Sequence, residues 1–136
     1  MKSVIDSSIV VKWFVDEPGR DSAVGLLDES GMFIAPDILL AEVANALWRK
    51  VRSGLADVDQ AEKAISEIAA MIILRPMDAD LMQASLRLAR QLEHSVYDCV
   101  FLACAISEGA ELVTADSRFY DKLRQVGTDA KVRILT

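Results

Sequence analysis

The chain has 136 residues, of which 52% are hydrophobic and 26% charged, so we expect one folded domain over residues 1–136 with a packed core. The longest apolar run, residues 68–74, is too short to cross a bilayer, and Asp6 and Lys12 would interrupt a signal-peptide core, so we expect a cytoplasmic protein without a membrane partner. The formal net charge of −6 argues against a protein that holds nucleic acid through a broadly basic surface.

Strand and helix patterns alternate along the chain, and turn or capping residues such as Gly109 separate them. In chain order we predict a strand at 3–5, helices at 9–15 and 20–29, a strand at 32–35, a helix at 38–52, a helix from Asp57, a short extended piece at 73–74, helices at 81–92 and 98–107, a strand at 112–114, a helix at 117–125 and an edge strand at 132–135. The alternation predicts an α/β fold with a mostly parallel central sheet.

Four acids have positions that suggest chemistry. Asp6, Asp98 and Asp116 each stand where a strand is expected to end and a helix to begin, and Glu42 interrupts an otherwise apolar helix. The carboxyl ends of parallel strands lie along one edge of the sheet, where such folds bind ligands. Carboxylates gathered there repel one another unless a cation lies between them, so the pattern indicates a site for a hard metal ion.

Asp6 and Asp116 also have a purely structural explanation, because aspartate is a favoured helix N-cap. Serines follow both of them, Ser7 and Ser8 after the first and Ser117 after the second, and these serines can cap equally well. For these two acids, capping and a functional role therefore stay equally open.

The structural explanations for Asp98 and Glu42 are weaker. Asp98 can stabilise the first turn of a helix, yet it shares a helical stripe with Phe101, which places its carboxylate toward the sheet. A carboxylate that points inward needs a partner. Glu42 can belong to a surface stripe with Asn45 and Arg49, although it stands in an apolar stretch.

Other chemically interesting residues have ordinary interpretations. His94 lies in a predicted loop and is expected to be exposed, and Cys99 and Cys104 are expected to be small core residues. The basic groups at residues 49–52, 87–90 and 122–124 are interpreted as solvated helix faces. The four acids account for −4 of the net charge, so the remainder of the chain is only mildly acidic.

Four segments, taken together and in order, resemble the PIN domain, and within it the VapC-type toxins of toxin–antitoxin pairs. The segments are residues 4–8 (VIDSS), 36–45 (PDILLAEVAN), 95–103 (SVYDCVFLA) and 112–119 (LVTADSRF). Some members of that family carry a further acid just after the fourth motif, where this chain has Ser117 and Arg118. The resemblance covers nearly the whole chain.

The resemblance implies a five-stranded parallel sheet flanked by helices and a metal-dependent endoribonuclease that cleaves RNA. It implies that Asp6, Glu42, Asp98 and Asp116 form the catalytic site and hold Mg²⁺ or Mn²⁺, which agrees with the preference of these ions for carboxylate oxygens. The implied partners are an antitoxin protein that masks the site and a second copy in a homodimer.

Four polar residues close to these acids are candidates for orienting the metal ligands or contacting a phosphate. They are Ser7, Asn45, Thr114 and Ser117. Two alternatives stay open: a metal-dependent phosphoesterase or nuclease with a substrate other than RNA, and a catalytically inactive binding module with the same fold.

Overall fold

The computed structural model describes residues 1–29 and 31–136 and contains a five-stranded sheet in which every neighbouring pair of strands is parallel. The strands are β1 (Lys2–Ile5), β2 (Met32–Pro36), β3 (Ile73–Arg75), β4 (Glu111–Thr114) and β5 (Val132–Ile134). Their order is β3-β2-β1-β4-β5, so the predicted α/β class is confirmed and the C-terminal strand is at an edge. The chain reverses its direction of winding between β1 and β4, which is where open parallel sheets form a ligand crevice.

Helices connect the strands and cover both faces of the sheet. They are α1 (Ser7–Phe14), α2 (Arg20–Gly25), α3 (Ile38–Arg52), α4 (Val58–Met71), α5 (Ala79–Leu92), α6 (Val96–Glu108) and α7 (Ser117–Val126). The helix predicted at 20–29 is shorter than expected, because after Gly25 the chain tightens into a 3₁₀ turn at Leu26–Asp28. The predicted 38–52 helix is confirmed with both of its bounds.

Side-chain caps fix the starts of most of these helices. The Asp57 carboxylate accepts a hydrogen bond from the Gln60 amide at α4, and Asp78 caps α5 in the same way. Ser95 caps α6 through the Tyr97 amide, so this helix begins at Val96 rather than at the predicted residue 98. That earlier start places Asp98 inside the first turn of α6 instead of at its boundary.

The core lies around the central strand β1 and around α6, which packs on β1, β2 and β4 and is covered on its other side by α5. Cys99 and Cys104 are both fully buried in α6, which confirms them as small core residues. Burial raises the pKa of each thiol to about 11. Within the described residues no helix has the length and apolar character needed to cross a membrane.

Candidate functional site

The site begins where β1 and β4 end side by side. Asp6 follows β1, and Asp116 lies two residues beyond the end of β4. The Ser8 hydroxyl connects the two strand ends, because it donates to Asp6 Oδ1 and accepts the Ala115 amide at 2.9 Å. One serine thus holds the two acid-bearing segments in register at the crevice.

Asp6 is the N-cap of α1 and is held from several sides. Its Oδ1 accepts the Ser8 amide at 3.1 Å, and the Thr114 hydroxyl is a further hydrogen-bond partner of the carboxylate. Burial nevertheless raises the pKa of Asp6 to about 6, and the negative charge of Asp98 adds to the effect. The carboxylate therefore lies in a position that disfavours its ionised form in the metal-free protein.

Glu42 faces the same place from α3. Burial raises the pKa of its carboxyl group, with the charges of Asp98 and Asp6 adding to the shift and a hydrogen bond from Ser7 opposing it. Its Oε1 is buried and has no hydrogen-bond partner among the described residues. A buried carboxylate oxygen without a partner costs free energy, so this atom is a ligand position that the protein alone does not satisfy.

Asp98 projects from the first turn of α6, and its side chain is 41% exposed. The His94 Nε2 atom lies 2.6 Å from Asp98 Oδ2, and the imidazole packs against the Phe119 ring with centroids 4.7 Å apart. Because an ionised carboxylate can only accept, Nε2 carries the proton of this hydrogen bond. His94 is only 20% exposed, so the expectation of an exposed loop histidine was wrong.

Asp116 is the N-cap of α7 and uses one oxygen for that purpose. Its Oδ1 accepts the amides of Arg118 at 3.0 Å and Phe119 at 3.2 Å, and its own amide donates to the Thr114 hydroxyl. The structure thus couples Asp6, Glu42 and Asp98 electrostatically and places Asp116 at the adjacent strand end with Oδ2 uncommitted to the cap. At both strand ends the aspartate is the cap, not the serine that follows it.

Two of the four predicted supporting residues lie beside the acids: Ser7 lowers the pKa of Glu42 and Thr114 lowers the pKa of Asp6, each against the larger effect of burial. Asn45 and Ser117 are exposed, and the described residues give their side chains no hydrogen bond. Sequence reasoning missed Ser8 and His94 as neighbours of the acids. For Ser8 a signal existed, since a serine two residues after a strand-end aspartate is placed to bond that carboxylate.

The donor set fits a hard divalent cation. Carboxylate oxygens are the ligands that such ions prefer, and the mutual repulsion of Asp6, Glu42 and Asp98 is the kind of strain that a bound cation relieves. Across residues 1–29 and 31–136, no three carboxylate, imidazole or thiol groups converge into a ready-made metal cage. Asp6, Glu42 and Asp98 lie close enough to influence one another electrostatically without forming a closed coordination shell.

Comparison with known proteins gives a consistent picture. The PIN domain model matches residues 3–123. Ribonuclease VapC3 of Pyrobaculum aerophilum is 27% identical over 124 residues, which cover 90% of this chain and 95% of that protein. A chain of VapBC2 from Rickettsia felis, solved with a promoter DNA fragment, superposes with a TM-score of 0.72 at 16% identity over the full length of both chains. The sarcin-ricin loop cleaving toxin VapC20 of Mycobacterium tuberculosis superposes with a TM-score of 0.70 at 18% identity, over 88% of this chain and 93% of that one.

Proposed function

The chain belongs to the PIN domain family, and from that premise we propose that it is a metal-dependent endoribonuclease, the toxin of a VapBC-type toxin–antitoxin pair. The observation that supports the proposal is the electrostatic coupling of Asp6, Glu42 and Asp98 beside the carboxyl end of the sheet. Such a site supports hydrolysis of phosphodiester bonds, and the names of the relatives support RNA as the substrate.

In this proposal Asp6 and Asp98 are the core ligands of Mg²⁺ or Mn²⁺, and Glu42 and Asp116 ligate it directly or through water. When bound, such an ion activates a water molecule and stabilises charge on the attacking and leaving oxygens of the phosphodiester. The chain itself contributes the positions of the ligand side chains. The Glu42 Oε1 atom, which has no hydrogen-bond partner among residues 1–29 and 31–136, is already removed from water in the folded protein and would be one of the ligand oxygens.

The supporting contacts have defined tasks in that scheme. Thr114 and Ser8 hold the Asp6 carboxylate, Ser7 holds Glu42, and His94 holds Asp98. Fixing each ligand before the substrate arrives lowers the entropy cost of assembling the reactive arrangement. These residues act through the acids rather than on the RNA itself.

The proposal includes a partner and a cellular setting. The relatives include chains from toxin–antitoxin complexes, which supports an antitoxin protein that covers the carboxylate site. A homodimer is part of the same proposal, by analogy with the family. Action on cellular RNA would place the protein in the cytoplasm.

The test is cleavage of structured and single-stranded RNA by the purified protein with Mg²⁺ or Mn²⁺, with EDTA, and beside two variants. Asp98→Asn is expected to lower the cleavage rate on the order of 10³-fold, because it removes a ligand charge and leaves the fold intact. Asp57→Asn, at the exposed cap of α4, is the matched control and should cleave like the unaltered protein.

Three outcomes separate the alternatives. Specific cuts that disappear with EDTA and with Asp98→Asn support the ribonuclease. Turnover of DNA or of a small phosphoester without RNA cleavage replaces it with another phosphoesterase. A folded protein that binds no Mn²⁺ and cleaves none of these substrates is instead a binding module, and the enzymatic proposal fails.

A further inference from the structure

A cavity of about 480 Å³ lies between α1 and α3 and extends outward from the carboxylate site. Its inner end is lined by Ser7, Ser8 and Ala115, and we refer to the whole cavity as the Arg49 groove. Ser7 and Ser8 are the residues that contact the carboxylates of Glu42 and Asp6. The groove therefore adjoins the proposed active site through these two serines, although none of the four acids lines it.

The outer part of the groove is basic, unlike the chain as a whole. Its lining includes Lys12, Arg49 and Lys50 and one acid, Glu17. Three cations against one carboxylate leave this wall positive, whereas the complete chain has a net charge of −6. Such a cluster of positive charge in an otherwise acidic protein suits the binding of an anion, and solubility alone does not require it.

Glu17 neutralises the two lysines and leaves Arg49 uncommitted. Lys12 Nζ lies 3.1 Å from one Glu17 oxygen, and Lys50 Nζ lies 3.1 Å from the other. In residues 1–29 and 31–136, no carboxylate forms an ion pair with Arg49. The guanidinium is thus available to an external anion, and its planar fork suits a phosphate group.

The position of Arg49 defines which phosphate it can reach. Arg49 follows Glu42 by seven residues on α3, so both lie on the same helix face about 10 Å apart along the axis. Arg49 is thus set back from Glu42 by about two helical turns toward the C-terminal end of α3. The geometry therefore favours a different phosphate of the same strand.

We propose that the Arg49 groove binds the phosphodiester backbone of the RNA strand beside the bond to be cleaved, with Arg49 as the phosphate ligand. This inference rests on the proposed ribonuclease function and deepens it, because it specifies where the RNA runs as it leaves the cleavage site. An acidic peptide would also suit the positive charge, but the groove adjoins the proposed cleavage site through Ser7 and Ser8. Continuity with the cleavage site favours the substrate.

The experiment measures binding separately from cleavage. A fluorescent single-stranded RNA oligonucleotide is titrated with protein in EDTA, by anisotropy, over a series of salt concentrations. Arg49→Ala is expected to weaken binding about tenfold at low salt and to reduce the slope of log K against log salt by about 0.7. Binding should weaken equally for oligonucleotides of different sequence, because a phosphate contact does not read bases.

Arg52→Ala is the matched control. Arg52 is on the same helix with the same charge, but it lies over the Trp48 ring and does not line the groove. Its removal should leave RNA affinity within about twofold and the salt slope unchanged. Arg49→Lys should keep most of the salt slope, because lysine retains the positive charge and lacks only the planar guanidinium group that can bind a phosphate through two hydrogen bonds.

The outcomes distinguish this proposal from the function on which it rests. RNA cleavage by the unaltered protein together with equal binding by Arg49→Ala and Arg52→Ala overturns the groove and keeps the ribonuclease. Weakened binding by Arg49→Ala without RNA cleavage by the unaltered protein supports the groove and removes the ribonuclease. Equal loss in both variants also overturns the proposal, because it would reflect net charge alone.

Discussion

Asp6 and Asp98 are both assigned to the proposed site but are held in different ways. Asp6 is partly buried and is fixed by the backbone amide and the hydroxyl of Ser8, whereas Asp98 has a 41% exposed side chain and one imidazole partner. The free-energy cost of burying a charge therefore falls mainly on Asp6, at the end of β1. The orientation of Asp98, on α6, depends on its contact with His94, which a single substitution can remove.

Among the variants that test this comparison, the largest effect is expected from removing the donor that holds Asp98. His94→Phe keeps a ring against Phe119 but loses the Nε2–H group. We expect Mn²⁺ affinity, measured by calorimetry, to fall about 10- to 100-fold, because an unrestrained carboxylate must be ordered when the ion binds. In cleavage assays the loss should appear in kcat more than in KM, since the RNA contacts are unaltered.

A second variant separates orientation from packing. His94→Gln retains an N–H donor near the position of Nε2 and should recover most of the Mn²⁺ affinity, although it lacks the ring. If the glutamine variant behaves like the phenylalanine variant, packing against Phe119 is the important contact and His94 does not position Asp98.

A smaller effect, with the opposite sign, is expected at Asp6 in the metal-free protein. Its pKa is raised from 3.8 to about 6, so the folded state binds this proton more tightly than the unfolded chain does. Stability therefore falls as pH rises from about 4 to about 6, and the full penalty is present above that range. The full shift corresponds to roughly 3 kcal/mol, and partial exposure of Asp6 reduces it, so Asp6→Asn should raise the free energy of unfolding in EDTA by about 2 kcal/mol near neutral pH, as measured with urea.

The pH dependence provides the check on this explanation. The gain from Asp6→Asn should disappear below about pH 4, where the native carboxyl is protonated in both states. Asp57→Asn is the matched control, because Asp57 is also a helix N-cap but is exposed, and it should change stability by less than about 0.5 kcal/mol. A gain at Asp6 that does not vary with pH would contradict a burial cost.

The smallest effect concerns the serine that connects the two strand ends. Ser8→Ala removes the acceptor of the Ala115 amide and a donor to Asp6, so unfolding in urea should require about 1 kcal/mol less. Ser53→Ala removes an exposed bond to the Arg49 carbonyl and should cost clearly less. Equal costs for the two variants would show that the Ser8 bridge adds nothing to the local anchoring of Asp6.

Much of the fold could be predicted because local signals agreed with the tertiary structure. The helix at 38–52 has apolar residues at helical spacing between a Pro36–Asp37 start and a Ser53–Gly54 end, and its bounds are those of α3. The break after Gly25 could not be read locally, since the apolar spacing continues into the 3₁₀ turn. The start of α6 was predicted at Asp98, the acid of the third motif, but Ser95 is a favoured N-cap and the helix begins directly after it.

The candidate site was predictable in its composition but not in its contacts. The carboxyl ends of parallel strands lie at the same edge of the sheet, so the proximity of Asp6 to the neighbouring acids follows from the topology. The partner of Asp98 depends on Phe119, a residue of a different helix that packs on the imidazole. A loop histidine offers no local pattern for such a contact, and the unsatisfied oxygen of Glu42 likewise emerges only after packing.

The buried thiol of Cys99, the residue next to Asp98, has a consequence for metal poisoning. Its pKa of about 11 keeps the sulfur protonated at neutral pH, and its side chain is fully enclosed in the core. Soft metal ions are held most strongly by thiolates, whereas zinc also binds well to imidazole and carboxylate groups. The enclosed thiol therefore denies a soft ion such as cadmium its preferred ligand beside Asp98, but it gives no protection against zinc.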